Sequence, residues 1–133
     1  MRILIIIIIS TFLTSTLHAQ WNSNKKAVVK TIDNHLEELT GLSDEIWAYA
    51  ELAFEESKSA KALSDYAESK GFKVERGVGK IPTAFTATYG SGSPVIGILG
   101  EFDALPGLSQ KTSPTKDPLE EGKPGHGCGH NVF

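Results

Sequence analysis

The residues best suited to chemistry lie together in residues 125–131, which read GHGCGHN. This stretch holds the single cysteine of the chain, Cys128, and two of its four histidines, His126 and His130. Its glycines carry no Cβ, so the backbone can turn sharply and approach a ligand closely. In extended backbone, side chains two residues apart point to the same side. Cys128 and His130 could therefore reach one metal ion or an adjacent pair.

Three interpretations of this Cys–His loop are open from the residues alone. A metal site suits the ligand types, although structural zinc sites usually take four ligands and only one pair is present. A nucleophilic Cys–His dyad needs the imidazole to face the sulfur and a third group to orient it, which a two-residue spacing makes awkward. A structural loop would use Cys128 as a small buried apolar residue, but the glycines on both sides argue against ordinary packing.

A second candidate group is Glu101-Phe102-Asp103, which follows a nearly continuous apolar run over residues 95–99. Such a run is typical of a strand buried on both faces. Two carboxylates two residues apart would then project to one side at the strand's carboxyl end, where open α/β sheets gather their sites. The alternative is a pair of solvated acids at the end of a strand.

The elements that must position these residues follow from the apolar periodicity. Steps of three and four residues predict a helix over residues 25–54, with Ser23 as N-cap and Gly41 as the point where it divides. A second helix is predicted over residues 57–70, ended by Gly71 in the left-handed conformation. Strands are predicted over residues 72–76 and 83–89, and residues 108–125 form a long loop or lid. Two helices followed by strands predict an α/β domain that is incomplete.

Composition limits the function classes. The 133 residues suffice for one domain. A formal net charge of −3 with no basic block argues against nucleic-acid binding, and a single cysteine excludes an intramolecular disulfide. Residues 1–19, with Arg2 before an apolar run over residues 3–9, predict a cleaved signal peptide, and the alternative is an uncleaved membrane anchor. We therefore expect a periplasmic or secreted protein, residues 20–133, without a stable membrane anchor after cleavage.

Four segments together resemble one known family. They are residues 44–56, residues 81–85 (IPTAF), residues 97–110 (GILGEFDALPGLSQ) and the GHGCGHN loop. In these segments the chain resembles the amidohydrolase branch of the aminoacylase/carboxypeptidase-like zinc metallopeptidase family, and the resemblance covers about residues 30–133. It implies the N-terminal part of a two-metal, exopeptidase-like catalytic domain, with two helices and then strands of a mixed central sheet.

The resemblance also implies residue roles. The Cys and the second His of the Gly-rich motif bind metal in that branch, and they match Cys128 and His130. Asp103 would support the centre by orienting a metal-bound histidine. Glu101 stands where sister branches place a histidine ligand, and we expect it to line the site together with His126. The cofactors would be two divalent ions, zinc or manganese. The reaction would be hydrolysis of the amide bond of small N-acyl amino acids such as p-aminobenzoyl-glutamate.

The family's chains are several times longer, and their paired glutamates and remaining histidine ligands follow the motif. We therefore expect an N-terminal fragment with an incomplete ligand set that is inactive alone, whether from a truncated gene, a frameshift or an incomplete sequence. The full-length form would be a homodimer or a hetero-oligomer. The alternative function is a non-catalytic secreted module that binds a metal or a partner.

Overall fold

The computed structural model describes residues 22–132 of the chain. The predicted signal peptide over residues 1–19 lies outside them, and the predicted domain over residues 20–133 stays a prediction. The chain divides into two compact units, with the boundary between Leu36 and Glu37.

Helix α1 spans Ser23–Asn34 and belongs to the first unit. Its N-cap is Asn22, whose Oδ1 accepts a hydrogen bond from the Lys25 backbone N–H at 2.8 Å, so the prediction of Ser23 as the cap is wrong by one residue. None of its residues is buried. Val28 is 58% exposed and Ile32 49%, so the apolar periodicity here does not mark a buried face.

Helix α2 spans Leu36–Tyr49. The division between the first two helices falls at His35, whose backbone N–H closes a turn on the Ile32 carbonyl at 3.0 Å. The predicted division at Gly41 is wrong, because a glycine inside a helix costs only about 1 kcal/mol relative to alanine and the helix continues through it. Ile46 is the buried apolar residue of α2, 2% exposed. No helix within residues 22–132 is long and apolar enough to cross a membrane.

Helix α3 spans Ser57–Ser69 and confirms the predicted second helix to within one residue. Gly71 ends it as predicted, with φ +87°. The Gly71 N–H donates to the Glu68 carbonyl and the Phe72 N–H to the Ala67 carbonyl, the hydrogen bonds typical of a left-handed helix ending. At the other end, the Glu51 carboxylate accepts hydrogen bonds from the Lys58 and Ser59 backbone N–H groups and from the Ser59 hydroxyl.

Strands β1 (Lys73–Arg76) and β2 (Phe85–Thr88) pair antiparallel, with Lys73 opposite Thr88. Both strands lie within the predicted segments, and the α/β class is confirmed. The Arg76 guanidinium links β1 to α3, because it donates hydrogen bonds to the carboxylates of Asp65 and Glu68. The pKa of Asp65 lies below its usual value, mainly because its carboxylate bonds to the Lys61 ammonium and to a lesser extent because it bonds to Arg76.

Residues 95–99 do not form the predicted buried strand. Their apolar side chains are exposed, at 87% for Val95, 82% for Ile96, 95% for Ile98 and 90% for Leu99. The physical reason is pairing: in the described part of the chain the sheet consists of β1 and β2, and neither strand hydrogen-bonds to this run. The run is apolar enough for a buried strand, but nothing within residues 22–132 supplies the neighbouring strands.

Candidate functional site

Three backbone segments lie side by side and bring the two candidate groups together. The Ala104 N–H donates to the Glu51 carbonyl at 2.7 Å, beside a parallel bridge between Leu52 and Ala104. On the other side, Leu105 and Gly125 exchange two hydrogen bonds of 3.0 Å each. Ala104 is 2% exposed at the centre of this arrangement. Asp103 therefore lies immediately before the two bridged residues Ala104 and Leu105. The Cys–His loop begins at Gly125, the residue that pairs with Leu105.

The Leu105–Gly125 bridge requires glycine at position 125. A Cβ built there would lie 2.1 Å from the Leu108 carbonyl oxygen and 2.9 Å from the Ser109 nitrogen, both backbone atoms that cannot move aside independently. Gly129 serves differently, because its φ of +75° lies in the left-handed region. The turn at Gly129 agrees with the sequence-based prediction, whereas Gly125 approaches the chain's own backbone, and the predicted close approach to a ligand stays a prediction.

Helix α2 holds the loop from one side. His126 Nε2–H donates to the Ile46 carbonyl at 3.0 Å, and the Asn131 side-chain amide donates to the Ser43 hydroxyl at 3.1 Å. Ser43 and Ile46 are three residues apart and so lie on the same side of the helix. The contacts join residues 80 and 88 positions apart, and sequence reasoning missed Ser43 and Asn131. The only available signal was the position of Asn131 immediately after His130.

His126, which the resemblance places in the lining of the site, therefore bonds to a helix carbonyl. Because a carbonyl only accepts, Nε2 carries the proton. The other ring nitrogen, Nδ1, is buried and has no hydrogen-bond partner among the described residues. His126 also lines a cavity of about 450 Å³ between the end of α2 and the loop, with Trp47, Tyr49 and Leu108. That volume lies within the range of small-molecule pockets.

His130 lies between the two carboxylates that follow the apolar run. Its Nδ1–H donates to Asp103 Oδ1 at 2.7 Å, and its Nε2 lies 3.2 Å from Glu101 Oε2. The His130 side chain is 15% exposed, that of Asp103 23% and that of Glu101 60%. A carboxylate that holds the proton on one ring nitrogen directs the lone pair of the other outward, as in histidines that ligate metals. The hydrogen bond to Asp103 thus fixes the orientation of the His130 ring.

Cys128 is an exposed free thiol at the rim of the same loop. Within residues 22–132 no group of three or more His, Cys, Asp or Glu side chains could hold a metal ion. The donor types fit zinc or manganese chemistry, because imidazole and thiolate suit zinc and carboxylate suits manganese. The described residues thus supply part of a ligand set, and the assignment of Cys128 and His130 as ligands stays a prediction.

The chain is similar to proteins named as hydrolases, amidohydrolases and dipeptidases. It is 50% identical over 97 residues to one of the subunits of p-aminobenzoyl-glutamate hydrolase from Escherichia coli, a match that covers 71% of this chain and 20% of the relative. It is 31% identical over 120 residues to the Xaa-Arg dipeptidase of Mus musculus (82% of this chain, 24% of the relative). The human Xaa-Arg dipeptidase is 32% identical over 115 residues (77% and 23%).

The chain thus spans about a fifth to a quarter of the length of these relatives. No family model and no solved structure matches it. The similarity confirms the family resemblance seen in the motifs, and the relatives are all named as hydrolases or peptidases.

Proposed function

We propose that this chain forms part of a metal-dependent amidohydrolase that cleaves the amide bond of small N-acyl amino acids. The observation that carries the proposal is the arrangement of His130 between Asp103 and Glu101, in a chain 50% identical to part of a p-aminobenzoyl-glutamate hydrolase. His130 and Cys128 would hold a divalent ion, zinc or manganese. When bound, the ion supplies a water of lowered pKa and polarises the scissile carbonyl.

The chain's own residues contribute positioning to this chemistry. Asp103 accepts a hydrogen bond from His130 Nδ1–H, which fixes the plane of the ring and turns Nε2 away from Asp103. The α2 contacts from His126 and Asn131 fix the loop that carries the two ligands. The cavity beside Trp47 and His126 offers a volume suited to a small substrate. Together these features assemble one side of a site, and we propose that the 133-residue chain alone is inactive.

The name of the Escherichia coli relative makes p-aminobenzoyl-glutamate the first substrate to test. The same name describes one subunit of a hydrolase, and on this ground we propose that the complete enzyme is a homodimer or a hetero-oligomer. We further propose, from the apolar run and Arg2 near the N-terminus, that a signal peptide directs the protein to the periplasm or outside the cell. N-terminal sequencing of the mature form should begin near Gln20, and a start at Met1 would contradict this.

A chimera tests the activity. This chain would replace the matching segment of the Escherichia coli relative, and release of glutamate from p-aminobenzoyl-glutamate would be measured with Mn²⁺ or Zn²⁺ and after chelation. We expect metal-dependent hydrolysis by the chimera and none by the 133-residue chain. Asp103→Asn in the chimera should lower activity about 10- to 100-fold, the usual effect of losing a carboxylate behind a metal-bound histidine.

The matched control is Asp33→Asn, since Asp33 is an exposed aspartate of α1. It should leave activity unchanged. A folded chimera that binds metal but releases no glutamate would contradict the substrate class. Equal activity of the Asp103→Asn and Asp33→Asn variants would contradict the role given to Asp103.

A further inference from the structure

The cavity at the end of α2 is lined by aromatic and aliphatic side chains from two separate segments. The last turn of α2 contributes the rings of Trp47 and Tyr49, and the long loop contributes Leu108 and Leu119. The two leucines are 45% and 56% exposed, so apolar side chains lie uncovered beside two aromatic rings. Tryptophan and tyrosine rings bind other planar rings by stacked or edge-to-face contacts. The apolar part of the lining therefore suits a flat ring.

The charged groups of the lining favour an anion. They are Lys111, Glu120 and Lys123, so the ammonium groups outnumber the carboxylate. Lys111 Nζ donates to Asp117 Oδ1 at 2.8 Å, and a single bond does not use all the donors of an ammonium. Lys123 Nζ lies 3.6 Å from Glu120 Oε1, which is farther than an ordinary hydrogen bond. Both ammonium groups can therefore donate to a ligand carboxylate.

The loop side of the cavity is held in place by the loop's own hydrogen bonds. The Ser109 N–H donates to the Lys123 carbonyl at 2.9 Å, and the Glu120 N–H donates to the Ser109 hydroxyl at 3.2 Å. These bonds fix the segment that carries Leu108 beside the segment that carries Leu119. Binding to a preformed lining avoids much of the entropy cost of ordering side chains around a ligand.

We propose that this cavity binds a small aromatic acid, with the ring against Trp47 and Leu119 and the carboxylate at Lys123. The volume of about 450 Å³ suits one ring with a short acidic chain. The proposal rests on the proposed function and adds to it a preference for aromatic over aliphatic acyl groups. It assigns that preference to named side chains of the cavity and involves no metal ion.

The experiment measures binding of benzoylglycine to the full chain by titration calorimetry, with a chelator present so that no metal contributes. Acetylglycine keeps the acid and the amide but lacks the ring, and benzoylglycinamide keeps the ring but lacks the charge. We expect acetylglycine to bind at least about 10-fold more weakly, because the burial of the ring is lost. Benzoylglycinamide should bind about 3-fold more weakly, since an ion pair at an exposed ammonium contributes little.

Two substitutions in the lining locate the ligand. Leu119→Ala should weaken binding of benzoylglycine about 5-fold through lost apolar contact. Lys123→Gln should weaken benzoylglycine about 3-fold and leave benzoylglycinamide unchanged, a difference that a general loss of structure would not produce. The matched controls are Ile98→Ala and Lys116→Gln, at exposed positions outside the lining, and both should bind like the wild type. The four positions are exposed, so the variants should fold, which circular dichroism checks.

Three results would overturn the proposal: equal affinity for benzoylglycine and acetylglycine, no binding of benzoylglycine, or a Leu119→Ala variant that binds like the wild type. Each of them leaves the proposed function to the chimera assay, which measures metal-dependent hydrolysis. If the chain binds benzoylglycine as expected while the chimera releases no glutamate, the aromatic site stands and the proposed function is wrong.

Discussion

At the scale of single residues, the geometry of the site depends on a few groups whose positions are fixed by close contacts. The ring of His130 is fixed by Asp103, and its loop is fixed by a close contact of backbone on backbone at Gly125. The sequence identifies these residue types, because glycines around a Cys–His pair and acids after an apolar run are both unusual. It does not reveal which ring nitrogen faces which carboxylate, because that depends on a contact between residues 27 positions apart.

Position 125 offers a direct test of the close contact. Gly125→Ala would place a methyl group 2.1 Å from the Leu108 carbonyl oxygen, so the bridge to Leu105 must open or shift. We expect the free energy of unfolding to fall by about 1–3 kcal/mol, as for other overpacked sites, measured by urea unfolding. Gly41→Ala is the control, since nothing lies within 4 Å of a Cβ there and alanine favours the helix by about 1 kcal/mol. Equal effects of the two substitutions would contradict the role given to Gly125.

At the scale of elements, helices α2 and α3 place the site without contributing any of its proposed ligands. The sequence predicts α3 and its ending at Gly71 well, because that signal is local. It cannot predict that Ser43 and Ile46 of α2 meet the loop, because those contacts span 80 or more residues. Nor does it predict that Glu51 caps α3 while its carbonyl accepts the N–H of Ala104. Residue 51 thus joins α3 to the segment that carries Asp103.

Glu51→Ala tests this link. The substitution would leave the Ser59 backbone N–H and hydroxyl without their carboxylate partner, at a residue only 1% exposed. Loss of a helix cap typically costs about 0.5–2 kcal/mol, and we expect the upper part of that range in urea unfolding. Glu55→Ala, at an exposed glutamate just before the same helix, should change stability by less than about 0.5 kcal/mol. A result in which Glu55→Ala is as harmful as Glu51→Ala would exclude a capping role.

At the scale of the whole molecule, the buried apolar core described here is small, with Ile46 and Ala104 as its buried apolar residues within residues 22–132. The apolar run over residues 95–99 has the composition of a buried strand but lies exposed. The predicted buried strand does not form here for a physical reason. An apolar composition shows that a segment is suited to burial, but burial requires neighbouring strands that pair with it. An exposed apolar run of this kind favours association between chains.

We therefore expect Ile96→Ser combined with Ile98→Ser to reduce aggregation of the chain severalfold, measured by light scattering at a fixed concentration. Both side chains are more than four-fifths exposed, so unfolding stability should change by no more than about 0.5 kcal/mol. The control replaces Val28 and Ile32 of α1, which are also exposed but less so, and should reduce aggregation less. If both double variants scatter light alike, total apolar exposure matters and the run has no special role.

The mutual hydrogen bonds between Leu105 and Gly125 have a consequence for how this protein can vary. They close the base of the loop between these two residues. A change in the length of the loop should therefore move neither Asp103 before it nor the Cys–His segment after it. The entropy of closing a loop changes only slowly with its length, by about 0.6 kcal/mol for each doubling. We therefore expect insertions, deletions or a grafted reporter peptide within residues 113–118, which do not line the cavity, to leave the contact between Asp103 and His130 unchanged.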